Sequence, residues 1–370
     1  MSIQAGLVGL PNVGKSTLFN ALTNSQVPAE NYPFCTIEPH TAVTVVPDPR
    51  MEKLRQLYDS KKLVPSHMNF VDIAGLVQGA ASGEGLGNQF LSHIRAVDLI
   101  IHVLRVFQDG NITNTRGEIN PLEDFAIITT ELMLKDIESI TKRIAKVEQL
   151  LKTARNKPTE LAILEQEKLL LQKLNTIIDS GDVAAIRAFC AEHRLEHVDL
   201  LIAKNYMIVA NVSETELEGD AYRNNRYFQQ LVNHFGADMV VPVSAKIESE
   251  LAQLEQAEQQ EMMQMLGIQR RGLDAIIQTA YKKLGLITFF TCGPQEIHAW
   301  PIRQGISIRM AAGEIHSDLE RGFICAEVLN CQDLFSCGSI AKARETGKLK
   351  TEGQQYLVAD GDIINVKFAV

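Results

Sequence analysis

Gly9-Leu10-Pro11-Asn12-Val13-Gly14-Lys15-Ser16 fits the pattern G-x-x-x-x-G-K-S/T, and its neighbours decide the fold. Ala5-Gly6-Leu7-Val8 just before it reads as a buried strand, and Thr17 to Leu22 just after it reads as a helix. A glycine-rich turn between strand and helix lets backbone N–H groups converge on phosphate oxygens, where the helix dipole adds to the attraction. The loop residues Asn12, Val13, Gly14, Lys15, Ser16 and Thr17 are therefore candidates to wrap a phosphate chain. In that role Lys15 reaches the β- and γ-phosphates and the Ser16 hydroxyl ligates Mg²⁺.

Working outward, Asp72-Ile73-Ala74-Gly75 follows the strand-like run Met68–Val71, as a D-x-x-G element should. Asp72 would hold Mg²⁺ through a water, and the Gly75 amide would meet the γ-phosphate. Thr36, in the loop before the Val43–Val46 strand, can offer Mg²⁺ a second hydroxyl; taken by position alone it is an ordinary loop threonine. Leu99–Leu104 is apolar enough to be covered on both faces, and His102 within it reads as a hydrogen-bonded core histidine. Strands alternating with helical segments predict an α/β domain built on a mostly parallel sheet.

The period then changes. Ile137, Ile140, Ile144, Val147 and Leu151 form one helical seam, and after Asn156-Lys157-Pro158 the spacing resumes at Leu164, Leu171, Leu174 and Ile178. Two such segments around a short turn read as an antiparallel coiled-coil hairpin inserted over about 129–180, a surface for a partner and not a catalytic element. His193 and His197 could share a helical face, but no Glu follows the first His as in a zinc motif. Strand signals return at Tyr206–Asn211 and Met239–Val243, with a helix over Gly272–Leu284. From Gly285 onward short strands such as Ile306–Ile308, Gly322–Cys325 and Ile363–Val366, set between Gly turns, predict a small sheet-rich domain over 285–370.

Composition narrows the function classes. The chain has 370 residues and a net charge of −9, which argues against coating nucleic acid by bulk charge but not against a local basic face. The six cysteines form no CxxC pair, so reduced, mostly buried thiols are expected instead of a zinc site or disulfide framework. No run approaches the length of a membrane span, and the first residues lack the features of a signal peptide; a cytoplasmic protein is expected.

Taken together, Gly9–Thr17, Asn31-Tyr32-Pro33-Phe34-Cys35-Thr36-Ile37-Glu38-Pro39, Asp72-Ile73-Ala74-Gly75-Leu76-Val77 and Gly83-Glu84-Gly85-Leu86-Gly87-Asn88 resemble the YchF family, the Obg-like ribosome-binding ATPases of the P-loop GTPase superfamily. The resemblance spans essentially the whole chain. It implies an Obg-type G domain over 1–284, interrupted by the hairpin at 129–180, and a ubiquitin-like β-grasp TGS domain over 285–370. The latter rests on Ala299-Trp300, His316-Ser317-Asp318, Arg321–Ile324 and Asp360-Gly361-Asp362. It further implies Mg²⁺-dependent nucleotide hydrolysis and ribosome association. Asn12 is the residue type that ligates a monovalent cation in related switch proteins, so K⁺ near the phosphates is a further expectation.

GTPases read guanine with N-K-x-D, whose Asp accepts from guanine N1–H and the 2-amino group. Here the strand ends in Asn211-Val212-Ser213-Glu214: the Lys is gone and Glu sits one methylene further out. Asn211 can still bond the purine edge, but guanine's donors lose their match, a mismatch of a few kcal/mol. In the resembled family N-x-x-E accompanies ATP preference. Ser244-Ala245-Lys246 matches the S-A-K loop whose backbone closes on the base.

Leu76 stands where small GTPases place a water-orienting Gln, and Asn114 where relatives often carry His, so no base is assigned. The leading expectation is a regulatory ATPase docking on the ribosome, with the large subunit and RNA as the contacts. The alternative is a nucleotide-binding scaffold with negligible turnover. A metabolic kinase has no need for N-x-x-E, S-A-K or a TGS-like tail, and a conventional GTPase fails on Val212 and Glu214.

Overall fold

The computed structural model describes residues 3–24, 40–73, 86–109, 118–154, 157–193, 195 and 197–369, without the side chains of 86–89. The strands are β1 (Gln4–Val8), β2 (Thr41–Val45), β3 (Lys62–Val64), β4 (His67–Asp72), β5 (Leu99–Arg105), β6 (Asn205–Asn211), β7 (Val240–Val243), β8 (Leu286–Cys292), β9 (Glu296–Arg303), β10 (Phe323–Asn330), β11 (Lys350–Glu352) and β12 (Asp362–Phe368). The chain forms two compact units, one of residues 1–3, 22–70 and 269–370, the other of residues 4–21 and 71–268.

In the second unit β1, β5, β6 and β7 lie side by side and parallel. Every residue of β5 is buried, as its unbroken apolar run demands of a central strand covered on both faces. The end of β4 joins the other flank of β1, where the Ile73 N–H donates to Leu7 O. The register sets Val8 beside His102, Arg105 beside Asn211 and Asn211 beside Val243, so the loops after these strands emerge along one edge.

The helices Pro121–Thr153 and Pro158–Asp179 fold back on each other around Ile140, Val147, Leu164, Leu171 and Leu174. The ion pair Arg143–Glu167, largely covered, and the more exposed pair Lys168–Glu148, both 2.7 Å, flank that seam. The first helix begins well ahead of Ile137. Asn120 accepts from the Glu123 N–H, Pro121 follows as the first helical residue, and Phe125, Ile128 and Leu132 add buried turns.

That helix also carries Asp136, fully buried, whose two oxygens accept the backbone N–H groups of Leu201 and Ile202 at 2.9 Å each. Burial pushes its carboxyl up to about 6, with the two N–H bonds pulling the other way. His102 is a core residue as expected, packed on Phe125 at 4.7 Å, and burial holds it neutral, down at about 3. Its Nδ1 has no partner among the described residues, and the ring also meets Tyr206 edge-on at 5.9 Å. His193 and His197 do not share a helical face, because the helix Val183–Glu192 ends before both and His193 packs on Phe189. Among the described residues no group of His, Cys, Asp and Glu is arranged to hold a metal ion, and no helix is long and apolar enough to cross a membrane.

In the first unit the strand order is β11-β10-β12-β8-β9-β3. β8 and β9 form an antiparallel pair, β12 runs parallel to β8, and β10 is antiparallel to both β12 and β11. Ile308 and Ala311 of the helix Ile308–Ile315 pack with Phe289, Ile302, Val328 and Ile364. Met51 and Leu54, from the helix Arg50–Tyr58, pack with Phe290, Ala299, Leu329 and Leu334 in a separate cluster. β3 adds itself to β9 as a parallel edge, so residues 50–64 are part of the same core as the C-terminal strands. Arg50 ties this together through ion pairs to Asp48 and Asp360, both 2.6 Å, while lying over Phe290.

Ile306–Ile308 is not a strand. Ser307 makes a single bridge to Leu357 and then precedes the helix, because Ile308, Ala311 and Ala312 repeat at helical and not alternating spacing. Among the described residues the thiols are more open than expected: Cys190, Cys292, Cys325, Cys331 and Cys337 are free, but only Cys331 of these is fully buried, and Cys35 lies outside the described residues.

Asp136 generates a stability prediction. Its folded pKa lies above the ordinary 3.8, so the native chain keeps a proton that the unfolded chain has lost, and its contribution falls as pH rises from 3.8 to about 6. Asp136→Ala leaves two N–H groups unpaired and is expected to cost about 2–4 kcal/mol in urea unfolding. It should also remove that part of the pH slope.

Candidate functional site

The loops at the carboxyl edge of the parallel sheet build the site. Gly9 leaves β1 so close to β5 that a Cβ would sit 2.8 Å from Val103 O, so only glycine fits. The loop curls through left-handed conformations at Asn12 (φ 62°) and Gly14 (φ 94°), residue types that tolerate them. The helix Lys15–Asn24 then starts, with the Leu18 N–H donating to Gly14 O at 3.0 Å. The earlier N–H groups of that helix have no helical acceptor and are available to an anion. Ser16 and Thr17 are exposed, whereas Lys15 is buried and its ammonium forms an ion pair with Asp72 at the end of β4.

Asn211 joins two loops. Its buried amide nitrogen donates to Val13 O at 2.8 Å, and its oxygen accepts from the Ala245 N–H at 3.0 Å. Its side chain lies so close to Gly14 that a Cβ there would fall on the amide nitrogen. Val212 is buried among Leu104, Ile208 and Val240, with its N–H on Val243 O at 2.9 Å. Ser213 caps the helix Glu214–Leu217 in a reciprocal capping box with Glu216, and Ser244 caps the helix Ala245–Leu251 by accepting from the Ile247 N–H. Across the gap between these caps, Glu214 and Lys246 form an ion pair. The Lys246 ammonium holds the Glu214 carboxyl below the usual carboxylate range.

Residues 4–164 match the family described as a 50S ribosome-binding GTPase, and residues 286–369 match the YchF C-terminal family, described as a protein of unknown function. The chain is 46% identical over 373 residues to the ribosome-binding ATPase YchF of Bacillus subtilis, covering 100% of both proteins. It is 42% identical over 375 residues to that of Escherichia coli O157:H7, again covering 100% of both. The solved structure of the Schizosaccharomyces pombe YchF GTPase superposes with a TM-score of 0.84 at 35% identity, covering 99% of this chain and 98% of that one. The chain belongs to the YchF family.

In this YchF chain the structure gathers Asn12 to Thr17, Asp72, Asn211, Val212, Glu214, Ser244, Ala245 and Lys246 on one edge of one unit. Thr36, Gly75, Leu76, Asn114 and the Gly83–Gly85 stretch lie outside the described residues, and the side chain of Asn88 does too. The donors Ser16 and Asp72 are hard oxygens, and Asp72 already holds a cation in Lys15; that donor set suits Mg²⁺.

Two features escaped the sequence. One is the Glu214–Lys246 pair, for which the S-A-K match suggested only a backbone role. The other is Arg105, buried at the end of β5, which donates to Phe107 O at 3.0 Å and Asp109 O at 3.3 Å. An arginine closing an apolar strand was the available signal.

Asn211→Ala should strip Val13 O and the Ala245 N–H of their partner at once. We expect a loss of about 2–4 kcal/mol in thermal or urea unfolding. Hydrogen exchange should accelerate at the Ala245 amide more than at β5.

Proposed function

We propose that this protein is a Mg²⁺-dependent P-loop hydrolase of nucleoside triphosphates that prefers ATP to GTP. We read it as a ribosome-associated regulatory switch in translation, working in the cytoplasm. The observation that carries this reading is the phosphate loop itself, with Lys15 buried against Asp72 and the loop clamped to Asn211. The relatives at 46% and 42% identity bear the name ribosome-binding ATPase, which supports the same activity here.

In this reading the N–H groups of Asn12 to Thr17 hold the phosphate chain and Lys15 moves from Asp72 to the β- and γ-phosphates. Gly75 meets the γ-phosphate. Ser16 and Thr36 would hold Mg²⁺, with Asp72 reaching it through a water, and the ion would neutralise charge developing on the transferred group. Asn12 is the candidate ligand for an activating K⁺. Asn211 and Glu214 would face the base from one loop, with Val212 buried in the core beneath it and not on the base, and Ser244, Ala245 and Lys246 from the other.

The domain reading is a G domain over 1–284, interrupted by a coiled-coil insertion at 129–180, and a TGS domain over 285–370. The order β11-β10-β12-β8-β9, with β12 parallel to β8 and a helix against the sheet, supports a ubiquitin-like β-grasp. Its exposed Arg303, Arg309 and Arg321 suit a contact with RNA or the large ribosomal subunit, although Arg321 already pairs with Asp318 and Arg309 donates to Glu320 O.

Lys15→Ala tests the phosphate site: titration calorimetry should show ATP binding lost while the far-UV spectrum is unchanged. Unaltered ATP affinity would overturn the assignment. Steady-state phosphate release, measured with and without ribosomes, separates a hydrolase from a scaffold, which would release none in either. Arg303→Glu with Arg309→Glu should weaken ribosome co-sedimentation, and the parent's binding should fall with rising salt. Co-sedimentation equal to the parent's would move the contact away from this face.

A further inference from the structure

The Glu214–Lys246 ion pair spans the two loops that would enclose the base. Glu214 opens one short helix behind its Ser213 cap, and Lys246 sits in the first turn of another behind its Ser244 cap. The two loops are themselves held in register by Asn211, which bonds the Ala245 N–H next to Lys246. The caps and the Asn211 bond thus aim Lys246 at Glu214, and the ammonium rests on Oε1. Glu250 and Asp109 attract Lys246 more weakly.

We propose that Lys246 is a specificity-positioning residue, selecting adenine over guanine by occupying one oxygen of the Glu214 carboxylate. Guanine needs a carboxylate with both oxygens open, one for N1–H and one for the 2-amino group. The ammonium sits on Oε1, so a guanine donor aimed at that oxygen faces a cation, and only Oε2 is free of one. Adenine presents a single amino group on that edge and an acceptor at N1, so one open oxygen beside a cationic donor matches it. The longer Glu side chain and the missing lysine of the motif weaken guanine binding; the ion pair explains why the remaining carboxylate does not rescue it. This rests on the reading of the loops as the base site of an ATP-preferring enzyme.

Lys246 is 66% exposed and Glu214, half-buried at 41%, belongs to no apolar cluster, so neither substitution disturbs the core. The test is titration of ATP and GTP, with Mg²⁺, into the full-length parent, Lys246→Met, Lys246→Arg, and Lys246→Met combined with Glu214→Gln. Lys246→Met should tighten GTP by about tenfold, the worth of one recovered bond to a charged acceptor, with ATP affinity unchanged or weaker. Lys246→Arg, which can keep the pair, should retain the parent's ratio. The double variant should return GTP to the parent's level, because the gain comes through the freed carboxylate. An unchanged ATP-to-GTP ratio in Lys246→Met, or equal weakening of both nucleotides, would overturn the role of Lys246 while leaving the ATP reading in place. A parent that binds GTP more tightly than ATP would instead overturn the base reading, and this proposal with it.

Discussion

The site depends on one buried side chain, the amide of Asn211. A carboxamide carries a donor and an acceptor on one small planar group, and here each meets a different loop: Val13 O of the phosphate loop and the Ala245 N–H. A buried peptide group without a partner costs more than a good hydrogen bond returns, so both loops are held where Asn211 stands. No hydrophobic residue of similar volume could do this. The parallel register sets Asn211 beside Arg105 and Val243, so the strands bring the loops near and the amide joins them.

Two ion pairs work on that frame, and they differ in kind. Lys15 is buried against Asp72, so its charge is satisfied at an internal cost that a phosphate chain and a divalent cation could together relieve. Lys246 is exposed and Glu214 half-buried, so their pairing adds little to stability; its proposed part is what it presents to an approaching base.

The other unit obeys a different constraint. A short mixed sheet must cover its apolar surface, and it recruits Met51 and Leu54 from far upstream as well as the nearby helix Ile308–Ile315. Local patterning identified the strands around Phe323 and Ile363 well. It misread Ile306–Ile308, where alternation over three residues cannot be told from the first turn of a helix. It could not see β3 joining β9, because a parallel edge pairing between residues 62–64 and 296–298 leaves no local mark.

By itself the sequence determined the phosphate loop, the D-x-x-G aspartate, the parallel α/β core and the helical hairpin. Each is a local pattern whose spacing is dictated by backbone geometry: a glycine where a Cβ would strike Val103, a seam repeating every three or four residues, an apolar run buried on both faces. Tertiary structure alone decided that His102 rests on aromatic rings without a bond at Nδ1, that Asp136 caps backbone groups 65 and 66 residues away, and that Glu214 meets Lys246. The reason is common to all three. Contacts between distant residues, whether ring packing, hydrogen bond or ion pair, depend on where whole elements come to rest, and composition and period carry no record of that.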